Sequence, residues 1–206
     1  MKTGLVDYEL LETLLHYSIP RIDTKPIAKR LINRFGSIGG ILNAEISDLL
    51  QVPGIGEAAA VHLKIIAELN HIRNWENLIE KPIFQDFAEL EHYLITMLRN
   101  RPFEEFHVLY INKNNQIVLD ETHTVGDMNT APVFPQKILQ SMFNLNACAV
   151  ILSHNHPLET PKFSNEDMFI TEQVKEVLNR NQFRLIDHLL VAGTKVVSAK
   201  NEYLLQ

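Results

Sequence analysis

Hydrophobic positions in the first third of the chain recur at intervals of three and four residues, which predicts amphipathic helices. One such series follows Asp23, a suitable N-cap, and stops at Gly36. A glycine-rich hairpin at residues 52–56 leads into a helix predicted over residues 57–70. Because the alternation of polar and apolar residues that is typical of strands is missing here, we expect an all-α domain over residues 1–75.

The periodicity changes in the rest of the chain, where short apolar runs and helical patterns follow one another. Strands are predicted over residues 106–111, 117–124, 147–152, 184–191 and 195–198, and helices over 84–100, 135–145 and 164–180. The run at 147–152 is apolar throughout, as in a strand buried on both faces. Strands mixed with helices indicate an α/β or α+β sandwich over residues 84–206, with a linker over 76–83.

Composition narrows the class of protein. A hydrophobic fraction of 46% and a charged fraction of 21% are those of an ordinary globular protein. The single cysteine, Cys148, lies in an apolar run and excludes an intramolecular disulfide, so we expect a reducing, cytoplasmic location. No apolar run approaches the roughly 20 residues of a membrane span, so no membrane partner is expected. The formal charge of −6 argues against non-specific nucleic-acid binding by the whole surface.

The segment His154-Asn155-His156, with Ser164 and Asp167 downstream, carries the strongest chemical signal. Alternate residues of an extended segment point the same way, so both imidazoles can face one ion. Asp167 falls in the first turn of the next predicted helix and can supply a third ligand. Two histidines and one carboxylate leave a fourth position for water, as in a catalytic zinc site. The sequence therefore predicts a Zn²⁺ site made by His154, His156 and Asp167.

Other interpretations of nearby residues stay open. Ser164 and Asp167 could form only a capping box, although a cap and a ligand can coexist. The pair at 187–188 could orient a metal-bound histidine, but we favour a polar pair at a strand edge. His107 and His123 lack ligand-like spacing and are expected to be ordinary residues.

The pattern H-x-H-x7-S-x-x-D, found at His154, His156, Ser164 and Asp167, resembles the JAMM (MPN+) metalloprotease motif. His-Asn-His-Pro at 154–157 is similar to the form of the bacterial RadC family. Further segments that resemble the RadC-type JAB domain are residues 106–112, 126–135, 145–151 and 185–188. The resemblance implies a cytidine-deaminase-like JAB sandwich that uses zinc to cleave a peptide or isopeptide bond. A nucleobase deaminase is excluded, because its signature needs further cysteines.

The resemblance also implies catalytic residues. Glu104 matches the general acid/base of JAMM enzymes, with Glu105 as the fallback, and the alternative is a pair of solvated carboxylates. Ser164 resembles the serine that stabilises the oxyanion. The chain departs from the family at 158–159, where Leu-Glu replaces the usual Ser-Gly, and at Phe134, which stands where Tyr or His is common. We expect these changes to affect how a substrate fits the site.

The hairpin at residues 53–57 resembles a helix-hairpin-helix motif, whose backbone N–H groups can bind phosphate. Residues 21–36 hold five basic side chains against one acidic one and could add weak contacts to DNA. The alternative, a structural hairpin between packed helices, is favoured by Glu57, which places negative charge where phosphate would lie.

Two functions therefore stay open. One is a JAMM-type zinc hydrolase. The other, which the resemblance to RadC proteins also implies, is a DNA-repair-associated DNA-binding protein with a structural or vestigial metal site. We favour the hydrolase, because a binding protein needs no open metal position beside a glutamate.

Overall fold

The structure of the chain, a computed structural model, describes residues 6–79, 82–83, 87–99, 101–126, 133–158 and 160–202. The chain divides into two compact units, Met1–Arg73 and Asn74–Gln206. Each unit has its own hydrophobic core.

The first unit is entirely helical where it is described, which confirms the predicted all-α region. Its helices are α1 (Asp7–Ser18), α2 (Lys25–Phe35), α3 (Ile38–Asn43), α4 (Ile46–Leu50) and the first part of α5 (Glu57–Ile79). Leucine and isoleucine side chains from all five helices form the core, among them Leu15, Ile27, Ile41, Leu49 and Leu63. These are the positions spaced by three and four in the sequence.

The glycine-rich hairpin between α4 and α5 packs directly on α2. Gly54 has a φ of +99°, and a Cβ there would lie 2.8 Å from Cδ1 of Ile27. The Arg30 guanidinium donates two hydrogen bonds, of 2.9 and 3.1 Å, to the Pro53 carbonyl. Arg34 donates to Gln51 over 2.7 Å. Both arginines therefore hold the hairpin against α2.

Helix α5 is longer than predicted. It runs for 23 residues to Ile79, whereas the sequence indicated an end near Asn70 and a linker from residue 76. No glycine or proline interrupts this stretch, and Leu78 is buried in the core of the second unit, so packing extends the helix. Among the described residues, neither α5 nor any other helix is both long and apolar enough to cross a membrane.

The second unit is a mixed sheet with helices on both faces, which agrees with the mixed α and β sandwich predicted from the sequence. Its elements are α6 (Phe87–Leu98), β1 (Glu105–Ile111), β2 (Ile117–Val125), α7 (Pro135–Leu145), β3 (Ala149–Asn155), α8 (Asn165–Arg180), β4 (Arg184–Ala192) and β5 (Lys195–Ser198). The strand order is β2-β1-β3-β4-β5, with β3 and β4 parallel and the other neighbours antiparallel. Helix α6 packs on one face, and α7 and α8 pack on the other. The central strand β3 is buried along its whole length.

A polar network lies within the α6 side of this core. The Tyr93 hydroxyl donates to Asp120 over 2.7 Å, and Asp120 also lies 2.8 Å from Nδ1 of His107. Nε2 of His107 lies 3.4 Å from Glu105. Burial lowers the pKa of His107, but the hydrogen bonds to Asp120 and Glu105 outweigh it and raise that pKa from 6.5 to about 9. His107 is thus a buried cation between two carboxylates.

This network predicts a pH-dependent stability. Because the pKa of His107 is raised on folding, its contribution is complete below about pH 6.5 and is lost as the pH rises through about 9. We expect His107→Gln to lower the free energy of unfolding more at about pH 6 than at about pH 10, by on the order of 2 kcal/mol. Urea unfolding at both pH values measures this difference.

His92→Gln is the control, because His92 is an exposed histidine of α6. Equal losses at the two pH values for His107→Gln would show that His107 is not charged in the folded protein.

Candidate metal centre

The two histidines of the H-x-H segment lie at the carboxyl end of β3. This strand continues to Asn155, three residues beyond the predicted end at residue 152. Pairing with both neighbours extends it, since His154 lies opposite Phe106 of β1 and the His156 N–H donates to the Val191 carbonyl of β4 over 3.0 Å. Both imidazoles are therefore attached to the centre of the sheet rather than to a free loop.

His154, His156 and Asp167 form one cluster that could hold a metal ion. Nε2 of His154 lies 3.2 Å from Nε2 of His156. Asp167 presents Oδ1 to His154 at 3.3 Å and Oδ2 to His156 at 3.4 Å. Ligand atoms held about 2.0–2.1 Å from a tetrahedral zinc ion are roughly 3.3–3.4 Å apart. The donor atoms and their spacing therefore fit such an ion.

The N-terminus of α8 fixes the carboxylate. Ser164 is the N-cap, its hydroxyl accepts from the Asp167 N–H at 3.0 Å, and its own N–H donates to Oδ2 of Asp167 at 2.7 Å. Burial raises the pKa of Asp167, but hydrogen bonds from His154 and His156 outweigh it and hold that pKa far below its usual value. The capping box and the cluster thus share one carboxylate, as the sequence allowed.

Behind the cluster lies a second layer of polar contacts. Nδ1 of His154 is 2.8 Å from Nε2 of His188, and Nδ1 of His188 is 2.6 Å from the Thr171 hydroxyl. The sequence favoured a strand-edge pair at 187–188, which is wrong for His188, because this side chain is fully buried against His154. Asp187 has a different role and accepts hydrogen bonds from Ser198 and Lys200.

Asn155, between the two histidines, fixes the segment before β1. Its Oδ1 accepts from the Glu105 N–H at 2.8 Å, and its Nδ2 donates to the Phe103 carbonyl at 3.1 Å. These two backbone groups flank Glu104. The carbonyl of Glu104 accepts from the Gly126 N–H at 2.7 Å, so the sheet ladder continues to this residue.

The alternation of side chains distinguishes Glu104 from Glu105. Phe106 stacks on His154, with ring centroids 6.3 Å apart, so the metal side of β1 carries the even-numbered residues. Glu105 points to the other face, where it contacts His107 and Arg101. Glu104 acts electrostatically on His156, whose pKa is raised first by its hydrogen bond to Asp167 and also by the charge of Glu104.

Leu158, one of the residues that depart from the family pattern, lies in the loop after the cluster. Leu158 is 91% exposed two residues beyond His156. His156 is nevertheless fixed, because its Nδ1 bonds the Thr160 carbonyl at 3.0 Å. Phe134 is also exposed, at the start of α7, and Glu159 lies outside the described residues.

Two polar residues of this region, Asn155 and Thr171, were not assigned a role from the sequence alone, and His188 was given one only as the less favoured alternative. Asn155 had a local signal, since it separates the two histidines and must face the opposite side of the strand. His188 had the signal of a histidine in an apolar strand pattern. Thr171, one helical turn after Asp167, gave no signal that distinguishes it from an ordinary helix residue.

Comparison with known proteins agrees with this geometry. A family model described as RadC-like JAB domain matches residues 84–204, which include the whole cluster and Glu104. A UPF0758 protein of Rhodobacter capsulatus is 35% identical over 98% of this chain and 94% of its own length. The chain belongs to the RadC family. A second UPF0758 protein, from Ruegeria pomeroyi, is 33% identical over 97% of this chain and 89% of its own length.

Membership of the RadC family supports a JAB fold for the second unit and relates the chain to JAMM-like metallohydrolases. The five-stranded mixed sheet agrees with this fold. JAB domains typically use a metal, which agrees with a cluster at His154, His156 and Asp167 that could bind one. A closer likeness to the cytidine-deaminase class stays a prediction.

The cluster predicts metal binding. We expect the purified protein to hold about one zinc ion per chain. His156→Ala should lose most of this zinc, because only two of the three protein ligands remain to bind it. Elemental analysis after dialysis measures both. His123→Ala is the control, since His123 lies on β2 outside the cluster, where its ring contacts Tyr110 and Glu121. Equal metal content in His156→Ala and the unchanged protein would contradict the assignment.

Proposed function

We propose that this RadC-family protein is a metal-dependent hydrolase of the JAMM type that cleaves a peptide or isopeptide bond, with Zn²⁺ held by His154, His156 and Asp167. The observation that carries the proposal is that the backbone groups on both sides of Glu104 are hydrogen-bonded to Asn155, the residue between the two candidate histidine ligands. The charge of Glu104 also contributes to raising the pKa of His156. A structural metal site has no need of an acidic residue whose backbone is fixed at this position. Catalytic zinc sites commonly have three protein ligands and one open position.

When bound, the metal would supply Lewis-acid activation of water and of the scissile carbonyl. Glu104 would accept a proton from the attacking water and pass it to the leaving nitrogen as the C–N bond breaks. This role needs a carboxylate within hydrogen-bond reach of the water, and the Asn155 amide holds the backbone on both sides of Glu104.

Ser164 would stabilise the negative charge that develops on the carbonyl oxygen. Its hydroxyl oxygen accepts from the Asp167 N–H, so the hydroxyl hydrogen is available for a further bond. A single donor aimed at a developing oxyanion is often worth about 3–4 kcal/mol. The capping box therefore holds a ligand and a donor at the same helix end.

The surroundings of the centre favour a polypeptide with apolar side chains. Leu158 follows the ligand His156, and Phe103 precedes Glu104, and both side chains are largely exposed. The hydrogen bond from Asn155 to the Phe103 carbonyl ties the two segments together. These two apolar side chains would contact apolar residues next to the scissile bond.

Replacement of the base tests the reaction. We expect Glu104→Gln to keep its zinc and to lower cleavage by about 10²- to 10⁴-fold, because the amide cannot accept the proton. The zinc-loaded protein is incubated with peptides from a digested bacterial proteome, and new termini are counted by mass spectrometry. Glu105→Gln is the matched control, since Glu105 points to the other face of the sheet.

Two outcomes would count against the proposal. One is equal cleavage by Glu104→Gln and the unchanged protein. The other is a metal-loaded protein that generates no new termini from any peptide or from branched isopeptide-linked chains.

The same peptide mixture tests the apolar contacts. We expect Leu158→Ser to reduce the share of cleavage sites with Leu, Ile, Val or Phe beside the broken bond by roughly 3- to 10-fold, since one apolar contact is worth about 1 kcal/mol. Phe143→Ser is the control, because Phe143 is an exposed apolar residue near the end of α7 whose ring lies edge-to-face with that of Phe183. An unchanged site preference in Leu158→Ser would show that this residue does not contact the substrate.

DNA binding through residues 21–36 and 53–57 stays a prediction from the sequence. The contacts of the helical unit give it little support, because several of the basic side chains have internal partners. Arg30 and Arg34 bond the hairpin segment, and Lys25 and Lys29 lie over the ring of Tyr8 at 5.6 and 5.2 Å. These contacts agree better with a structural hairpin.

A further inference from the structure

Two buried residues behind the metal cluster, His188 and Thr171, are hydrogen-bonded to each other and to two of the three candidate ligands. Nδ1 of His154 lies 2.8 Å from Nε2 of His188, on β4. Nδ1 of His188 lies 2.6 Å from the hydroxyl of Thr171, on α8, so the three side chains form a line of hydrogen bonds. The Thr171 hydroxyl also lies 2.6 Å from the backbone carbonyl of Asp167. The line therefore begins at one candidate ligand and ends at the backbone of another.

The direction of these hydrogen bonds follows from the last partner. A carbonyl oxygen can only accept, so the Thr171 hydroxyl donates to Asp167 and its oxygen is left to accept from Nδ1–H of His188. A neutral His188 with its proton on Nδ1 has a lone pair on Nε2. That lone pair accepts from Nδ1–H of His154. In a neutral His154 the remaining lone pair is then on Nε2, the atom that faces His156 and Asp167.

The surroundings exclude water from this line. His188 and Thr171 are fully buried. The Phe106 ring lies 5.6 Å from that of His188, and the Phe163 ring lies 5.1 Å from it. A partner lost from such a site is not replaced by solvent, so each member depends on the others.

We propose that His188 and Thr171 form a relay that holds His154 in the tautomer with Nε2 free to bind metal, and that ties this histidine to the helix end carrying Asp167. Both are positioning residues, since the ring nitrogens of His188 face His154 and Thr171 rather than the cluster. The relay joins β3, β4 and α8, the three elements that surround the centre. This inference rests on the metal site of the proposed function but not on hydrolysis.

Zinc affinity tests the relay independently of any substrate. We expect Thr171→Val to bind Zn²⁺ about 10-fold more weakly, because the buried Nδ1–H of His188 loses its acceptor. Thr171→Ser should restore affinity to within about 3-fold, since it keeps the hydroxyl. Competition with a zinc-binding dye measures both. Thr124→Val is the control, because Thr124 is a buried threonine of β2 whose hydroxyl has no partner among the described residues.

The tautomer itself is a second readout that needs no variant. The ¹⁵N shifts of the histidine rings in the zinc-loaded protein should place the proton of His188 on Nδ1. A proton on Nε2 of His188, or an affinity of Thr171→Val within 2-fold of the unchanged protein, would overturn the relay. A protein that binds zinc normally but cleaves nothing would overturn the proposed hydrolase and leave the relay intact. A protein that binds no zinc would overturn both.

Discussion

The side-chain amide of Asn155 is the interaction on which the arrangement of the centre depends. Because side chains alternate along β3, a residue between two histidines on one face must point to the other face. Asn155 uses this position to bond the backbone on both sides of Glu104, at 2.8 and 3.1 Å. One stretch of three residues therefore supplies two ligands and also positions the carboxylate that would act beside them. Loss of a buried amide pair of this kind typically costs about 1–3 kcal/mol.

The topology of the second unit explains why the remaining groups meet at this point. The parallel crossover β3-α8-β4 brings the start of α8, with Asp167, next to the carboxyl end of β3. The same crossover returns the chain as β4, which places His188 behind His154. The apolar cores on both sides of β3 keep the strand in place. Ligands, capping serine and the residues behind them thus come from a single supersecondary unit, and only Glu104 comes from another strand.

The sequence predicted most elements and the ligand cluster, because both are encoded locally by periodicity and spacing. The prediction was less accurate where tertiary contacts determine the end of an element or the position of a side chain. Helix α5 extends to Ile79 because Leu78 is buried in the second unit, and β3 extends to Asn155 because β1 and β4 pair with it. The sequence favoured Glu104 over Glu105 only through the family resemblance, and the pairing of Phe106 with His154 gives the structural reason for that choice. The contact of His188 with His154 was only the less favoured alternative, since β-strand spacing does not reveal which neighbouring strand a side chain contacts.

The charges at the centre give a physical reason to expect a divalent cation there. Asp167 and Glu104 bring two carboxyl groups to one buried strand end, and the two histidines are neutral when they act as ligands. A charge of +2 balances two carboxylates. Without a metal, a proton has to replace part of that charge, which is why the pKa of His156 is raised by Asp167 and Glu104. The depressed pKa of Asp167 has a related cause, because two imidazoles donate to it against the penalty of burial. Both shifts come from the same contacts between the Asp167 carboxylate and the imidazoles, and a metal ion held by the three ligands would take the place of the protons in these contacts.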